Sequence, residues 1–429
     1  MARQRIRDVD ALRGFALLGI FVVNITFMAS AYPANLVADP AYPGALDDAA
    51  RGAIELLVSM KFYLLFSFLF GYSFTLQMSA AARAEEPATT RAEESAADRM
   101  GAVFVPRMLR RIAGLFVFGV LHTVFLYGGD ILATYAVVCL ILVALRGIRD
   151  RTAVRVAGRI YGVVLVATAA VGLFADTSAF FPAAGEARAT AAEQTRAMLG
   201  GWGDIVGEHL AGLPLLVAQS LTLQGPTALA MFLLGMVAGR RGLLARVRGD
   251  EPVLRRMQWI GFPIGLAGGL VYALGGGPAG TLTAVAGIAS APLLTAAYVA
   301  TLLRAMHRPG TAWVGRALAP AGRIALTNYL AQSAIGLIVF SGIGVGAAGS
   351  VSPAGLLGLA IGIWCAQLAL SALWLRRFRY GPAEWVLRWI TIARRPVLLE
   401  RPGPPARDAP GTAGPGSATP GRATERGEV

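Results

Sequence analysis

The chain is predicted to be all-α: a polytopic membrane helix bundle of about ten transmembrane helices, with the amino and carboxy termini both cytoplasmic. Three observations carry this. Only 15% of the 429 residues are charged, where a soluble domain carries roughly a quarter, so charge cannot clothe an aqueous surface. The apolar residues come in blocks near the ~20 that cross about 30 Å of hydrocarbon. The arginines gather in alternate links between those blocks.

Blocks of low charge place spans near residues 12–31, 62–80, 109–127, 130–146, 155–175, 217–239, 257–275, 281–303, 323–342 and 353–375. The links read as inner carry Arg107, Arg110 and Arg111; Arg146, Arg149, Arg151 and Arg155; Arg240, Arg241, Arg246 and Arg248; Arg304, Arg308 and Arg316; and Arg376, Arg377 and Arg379. Those read as outer are nearly free of arginine, and Arg51, Arg188 and Arg196 there have acidic companions. Arg3, Arg5 and Arg7 put the amino terminus inside, and a miscounted span would break the alternation.

Between the spans, residues 82–106 read as a cytoplasmic linker and 176–216 as an outer loop. Residues 45–61 read as an amphipathic helix outside the second span, with Ile54, Leu57 and Val58 on its apolar face. Residues 1–400 form one domain on this reading, and 401–429, rich in Pro, Gly, Ala, Thr and charge, are expected to be a disordered cytoplasmic tail. The net charge of +14 sits in membrane-flanking links and not in a basic stripe, which argues against a nucleic-acid partner. Cys139 and Cys365 fall in apolar blocks, and no metal-ligand spacing is present. Ala29-Ser30-Ala31 after an apolar run imitates a secretory cleavage site, but the charge alternation works with the first span retained.

Ionisable groups inside a span cost several kcal/mol unless paired or hydrated, so each is a functional candidate. In RDVDALRGFALLGIFVVN, Arg13 and Asn24 are eleven positions apart, which returns them to within about 20° of one helix face after about 16 Å of rise. Asp10 and Arg13, at i and i+3, can equally be a boundary ion pair, and Asn24 a helix-to-helix hydrogen bond. In RRIAGLFVFGVLHTVFLYGGDILATYAV, His122 lies shortly before the Gly128-Gly129 turn and Asp130 just after it, with Arg111 on the His122 stripe at the inner end. This spacing permits a His and Asp couple; the competing reading makes Asp130 the cap of the fourth span and His122 a helix bridge. His209 and His307 read as solvated. Lys61, beside Glu55, reads as an interfacial lysine or a cavity residue; Asn328 and Gln332, at i and i+4 after Arg323, either glue helices together or line a polar cavity.

The runs RDVDALRGFALLGIFVVN, KFYLLFSFLFGYSF, LHTVFLYGGDILATYAV, MFLLGMVAGRRGLL, GRIALTNYLAQS and FRYGPAEWVLRW resemble, in order, the bacterial membrane family called domain of unknown function 418. The first block is also similar to the opening of the transmembrane acyltransferases, including heparan glucosaminide acetyltransferase and acyltransferase family 3. That resemblance implies transfer of an acyl group from a cytoplasmic thioester to a sugar or lipid acceptor at the other face. Where acyltransferase family 3 commonly has a catalytic histidine this chain has Asn24, as the glucosaminide acetyltransferase has asparagine; no histidine lies between Asn24 and the second span, which leaves His122 as the substitute.

The expected function is therefore acyl transfer in the plasma membrane to a cell-envelope or lipid-linked acceptor. His122 is the base, Asp130 its partner, and Asn24 the ligand of an acyl oxygen. Asp10, Arg13, Arg111 and Arg323 form the gate for a phosphate-bearing donor such as acyl-CoA, with no tightly bound cofactor. The alternative is a transporter or flippase, for which Gly342, Gly344 and Gly346 hint at a broken helix.

Overall fold

Hydrocarbon offers no water to unpaired backbone groups, so a spanning segment must satisfy them within itself. The apolar blocks accordingly fold as helices in the computed structural model, which describes residues 2–84, 96–174, 182–245 and 251–399. In chain order these are α1 (Ala2–Ala29), α2 (Ala45–Leu57), α3 (Lys61–Ala84), α4 (Ala96–Phe125), α5 (Leu132–Ala144), α6 (Asp150–Phe174), α7 (Ala184–Ala197), α8 (Trp202–Ala211), α9 (Leu213–Gln219), α10 (Gly225–Arg240), α11 (Glu251–Leu274), α12 (Thr281–His307), α13 (Trp313–Arg323), α14 (Ala325–Phe340), α15 (Pro353–Trp374) and α16 (Pro382–Ile392). Among the described residues the sole β pairing outside helices is an isolated bridge between Phe378 and Leu399.

Eight helical segments among the described residues are long and apolar enough to cross a bilayer, or nine if the bent pair α13 and α14 is one span. The ten expected spans all fall on helices, but α5 has only 13 residues, which at 1.5 Å per residue is about 20 Å and short of the hydrocarbon thickness. Counting apolar residues up to the flanking turns overstated its length. Exposed Phe116, Val117, Val163, Val166, Ile264, Val271, Leu370 and Leu373 give α4, α6, α11 and α15 outward apolar faces.

Other expectations are revised by local chemistry. Within the expected outer loop, residues 184–197 and 202–211 are helical, as α7 and α8; α7, AGEARATAAEQTRA, is rich in alanine, the best helix former, and too polar for hydropathy to reveal. It docks where the Thr195 hydroxyl accepts the Ala31 N–H at 3.0 Å and Asn35 Nδ2 donates to Gln194 Oε1 at 2.7 Å. Residues 96–106 of the expected linker begin α4. In α2, Ile54 is buried as expected but Leu57 is exposed. Gly342, Gly344 and Gly346 follow the end of α14 and break no helix. Arg246, Arg248 and the expected tail lie outside the described residues.

The break that does exist lies between α13 and α14, which turn by 76° at Ile324. Glycine lets α13 lie against α1: a Cβ on Gly322 would overlap the Asp10 carbonyl oxygen, and one on Gly14 the Leu318 carbonyl. The turn leaves the first N–H groups of α14 without intrahelical partners, and Ile324 has no side chain to cap them. Glu384 of α16 does so instead: Oε1 accepts the Leu326 N–H at 2.7 Å and the Thr327 N–H at 3.1 Å, and Oε2 accepts the Thr327 hydroxyl at 2.5 Å. Burial pushes the Glu384 carboxyl above its ordinary range, while the bonds from Thr327 and Leu326 hold it down. Glu384→Ala should cost about 2–4 kcal/mol, because two enclosed donors lose their acceptor. Glu384→Gln, which keeps an acceptor oxygen, should cost less; unfolding midpoints in detergent measure both, and equal midpoints for Glu384→Ala and the wild type would show the cap to be dispensable.

Candidate functional site

Helix α4 closes with the Leu126 and Tyr127 N–H groups both on the His122 carbonyl, and the chain turns back through Gly128-Gly129 to Asp130 and α5. Gly119, one turn before His122, makes the close return feasible: a Cβ there would overlap the Ala133 nitrogen and lie 2.8 Å from Asp130 Oδ2. The result is a His122 Nδ1 to Asp130 Oδ1 contact of 2.9 Å, with both side chains fully buried. It lies off the line of an ideal N–H···O bond. Both sequence readings of Asp130 are true at once, since its other oxygen, Oδ2, accepts the Ala133 N–H at 2.9 Å in the manner of a cap.

The far side of the imidazole meets α14. His122 Nε2 and Ser333 Oγ are 2.8 Å apart, and the Tyr329 ring lies beside the imidazole with centroids 4.9 Å apart. The Tyr329 hydroxyl also points to Asp130 Oδ1, at 3.5 Å. A carboxylate beside Nδ1 favours the tautomer that carries its proton there, which would leave the Nε2 lone pair to accept the serine hydroxyl. His122 is 1% exposed while Leu121, next to it, is 51% exposed, so the imidazole faces protein and the leucine faces outward.

Asn24 belongs to the same depth. Leu17 packs in one cluster with Tyr329 and Leu132, and Met28 lies against Gly336. Asn24 is seven residues after Leu17 and four before Met28, so it shares their stripe of α1, toward α14, at the level of Ser333. It is half-buried and makes no hydrogen bond to a described residue.

Toward the start of α1, Arg13 Nη1 pairs with Asp10 Oδ1 at 3.2 Å, and Nη2 donates to the Ser73 hydroxyl of α3. Arg111 Nε is buried with no hydrogen-bond partner among the described residues. A cavity of about 190 Å³ lies nearby along α4, lined by Gln77, Phe104, Arg107, Met108, Arg388 and Thr391. Gln77, Arg107 and Arg388, which line it, were not among the sequence candidates; the available signal was Arg107, one helical turn before Arg111. Arg323 is exposed and donates to the Arg379 carbonyl at 2.8 Å.

The remaining polar candidates do not gather at one cavity. Asn328 Nδ2 donates to the Ala321 carbonyl and to Ser371 Oγ, Gln332 Nε2 donates to Gln367 Oε1 at 2.8 Å, and Gln367 Nε2 donates to the Asn328 carbonyl. Both amides therefore fasten α14 to α15. Lys61 is buried elsewhere and is no interfacial lysine: α2 ends before it, Met60 takes φ +67, and Nζ donates to the Glu55 carbonyl at 2.8 Å. The ended helix leaves that carbonyl without an amide, which is why the ammonium stays inside. Neither remaining histidine is simply solvated. His209 Nδ1 is 3.1 Å from the Val124 carbonyl and covers Gly128, while His307 Nε2 is 3.4 Å from buried Asp8.

The chain is similar along nearly its whole length to three bacterial proteins whose names assign no activity. The uncharacterized protein YxaH of Bacillus subtilis (strain 168) is 27% identical over 425 residues, covering 92% of this chain and 98% of that one. An uncharacterized 39.9 kDa protein from the amylase 3' region of Bacillus acidopullulyticus is 29% identical, with 93% and 97% covered. The uncharacterized protein YeiB of Escherichia coli (strain K12) is 27% identical, with 90% and 95% covered. A family model described as a protein of unknown function, DUF418, matches residues 238–394. Those residues are a DUF418 region. The resemblance in the sequence words thus holds over residues 238–394, and the match and the apolar helices together fit an integral membrane protein. The DUF418 region contributes α14 and α16, hence Ser333, the Glu384 cap and Arg388, whereas Asn24, His122 and Asp130 come from helices before it.

Gly119→Val should force α5 away from α4. An unfolding midpoint lowered by the equivalent of about 1–3 kcal/mol is expected, together with loss of any activity that depends on His122; an unchanged midpoint would show that the two helices tolerate wider spacing.

Proposed function

We propose that this protein is an acyltransferase of the plasma membrane, with both termini cytoplasmic, that moves an acyl group from a cytoplasmic thioester to a hydroxyl of a cell-envelope or lipid-linked acceptor. The observation that supports the reading best is the buried His122 and Asp130 couple, whose Nε2 meets an alcohol oxygen 2.8 Å away. An imidazole so held is a general base in waiting: it takes an alcohol proton through Nε2, and the Asp130 carboxylate stabilises the imidazolium that results. Contacts that are imperfect in the free enzyme tighten when substrate is bound. The Asn24 amide, without a hydrogen bond to any described residue and at that depth, suits the oxygen of the acyl carbonyl as charge develops on it.

The inner end suits the donor. Arg13, Arg111, Arg107 and Arg388 supply guanidinium groups for the phosphates of acyl-CoA or a similar thioester, and forked N–H donors match phosphate geometry. Arg111 and His122 are eleven residues apart on one helix, about 16 Å of rise, which a flexible thioester arm must bridge.

A transporter or flippase is the second reading, favoured by the 76° break at Ile324. Against it, the freed amides at that break are already bonded to Glu384 and offer no site to a passing substrate.

Under the acyltransferase reading, His122→Ala should lower acyl transfer by about 10²–10⁴-fold while leaving the protein folded. Arg111→Ala should chiefly raise the donor concentration needed for half-maximal rate. Turnover by purified protein in detergent, titrated with acyl-CoA, measures both, and wild-type turnover by His122→Ala would remove the histidine from the mechanism.

A further inference from the structure

A hydroxyl within a helix ordinarily returns its proton to the carbonyl one turn back. Ser67 donates to the Tyr63 carbonyl at 2.7 Å, Thr123 to Gly119 at 2.9 Å and Thr195 to Ala191 at 2.7 Å. Ser333 departs from this pattern. Its Oγ is 3.5 Å from the Tyr329 carbonyl, beyond a good hydrogen bond, and 2.8 Å from His122 Nε2. The hydroxyl sits closer to the imidazole than to its own backbone.

Three side chains from separate parts of the chain thus stand in line: Ser333 Oγ on α14, His122 on α4, and Asp130 in the turn before α5, at 2.8 Å and 2.9 Å. All three are buried, at 1%, 1% and 2% exposure. This is the order of contacts in which a base strips an alcohol while a carboxylate steadies the base, and such constellations are recognised by geometry, not by sequence position. A serine that served only to fasten helices would be as well placed with its proton on its own backbone.

We propose that Ser333 is the nucleophile that carries the acyl group between donor and acceptor, an inference that rests on the acyltransferase reading above. In the first step Ser333 Oγ bonds to the thioester carbonyl carbon, its proton passes to His122 Nε2, the carbon–sulfur bond breaks, and the leaving thiolate takes that proton. In the second, an acceptor hydroxyl oxygen bonds to the same carbon, its proton passes to Nε2, the Oγ–carbon bond breaks, and Oγ recovers the proton. The products are a free thiol and an acyl ester of the acceptor, with nothing oxidised or reduced. Asn24 faces the developing oxyanion in both steps.

Full-length protein in detergent, incubated without acceptor with radiolabelled acetyl-CoA and, separately, dodecanoyl-CoA, should acquire one acyl group on the peptide that contains Ser333, labile to hydroxylamine. Ser333→Ala and His122→Ala should acquire none, Ser333→Cys should form the thioester instead, and Ser333→Ala should turn over about a hundredfold more slowly or worse. A fluorophosphonate, which needs no knowledge of the donor, should label Ser333 in the wild type and lose that label in His122→Ala. Wild-type turnover by Ser333→Ala while His122→Ala is inactive would overturn the relay and leave direct transfer by His122 standing; wild-type turnover by both variants would overturn both readings. Folded wild-type protein in which Ser333 is neither acylated nor phosphonylated would also overturn the relay.

Discussion

A polar group inside hydrocarbon has no water to fall back on, so most donors and charges in this bundle take a partner within the chain, and the positions of those partners decide how the helices meet. The carboxylate of Asp130 shows the constraint at its most concentrated. It closes the turn by accepting the Ala133 N–H and meets the His122 imidazole with its other oxygen, so the connection between α4 and α5 and the chemistry of the histidine depend on one side chain. Lys61 obeys the same rule by another route, its ammonium buried because a terminated helix offers the Glu55 carbonyl. Glu384 obeys it again across the break at Ile324, completing from a third helix the hydrogen bonds that α14 cannot make for itself.

What could be read from the sequence followed from how local each interaction is. The apolar blocks announced their helices because burial in lipid is written residue by residue, yet their lengths were harder to judge: α5 has the composition of a span without the rise of one. The His122 and Asp130 couple was legible because eight positions and a double glycine bring the two back together. Ser333 was not, since it lies 211 positions from His122 and shares no periodic pattern with it. His307 looked like a solvated residue of an inner link because nothing near it in sequence foretells buried Asp8 near the start of α1.

Alternatives that the sequence left open were in some cases not alternatives. Asp130 is both cap and histidine partner, and Arg13 is both a neighbour of Asp10 and a tie from α1 to Ser73 on α3. A buried carboxylate has two oxygens and a guanidinium five donors, so one residue can serve structure and chemistry without conflict. A reading that weighs one role against the other treats as exclusive what the valence of the group allows together.

Helix α14 draws the distinction between the two kinds of work most clearly. Asn328 and Gln332 occupy one stripe, and Tyr329 and Ser333, one residue on, occupy another about 100° around the axis. The first stripe spends its amides on Ser371 and Gln367 of α15, a mutual exchange in which amides meet amides or a hydroxyl. The second meets an imidazole and a carboxylate, groups that can exchange protons. A helix fixed along one side by neutral hydrogen bonds can present the other side at a set depth and angle, and that rigidity is what a proton transfer over 2.8 Å requires. On the proposed relay, the amides of Asn328 and Gln332 bear on the chemistry by holding Ser333 in place, although they touch no part of it.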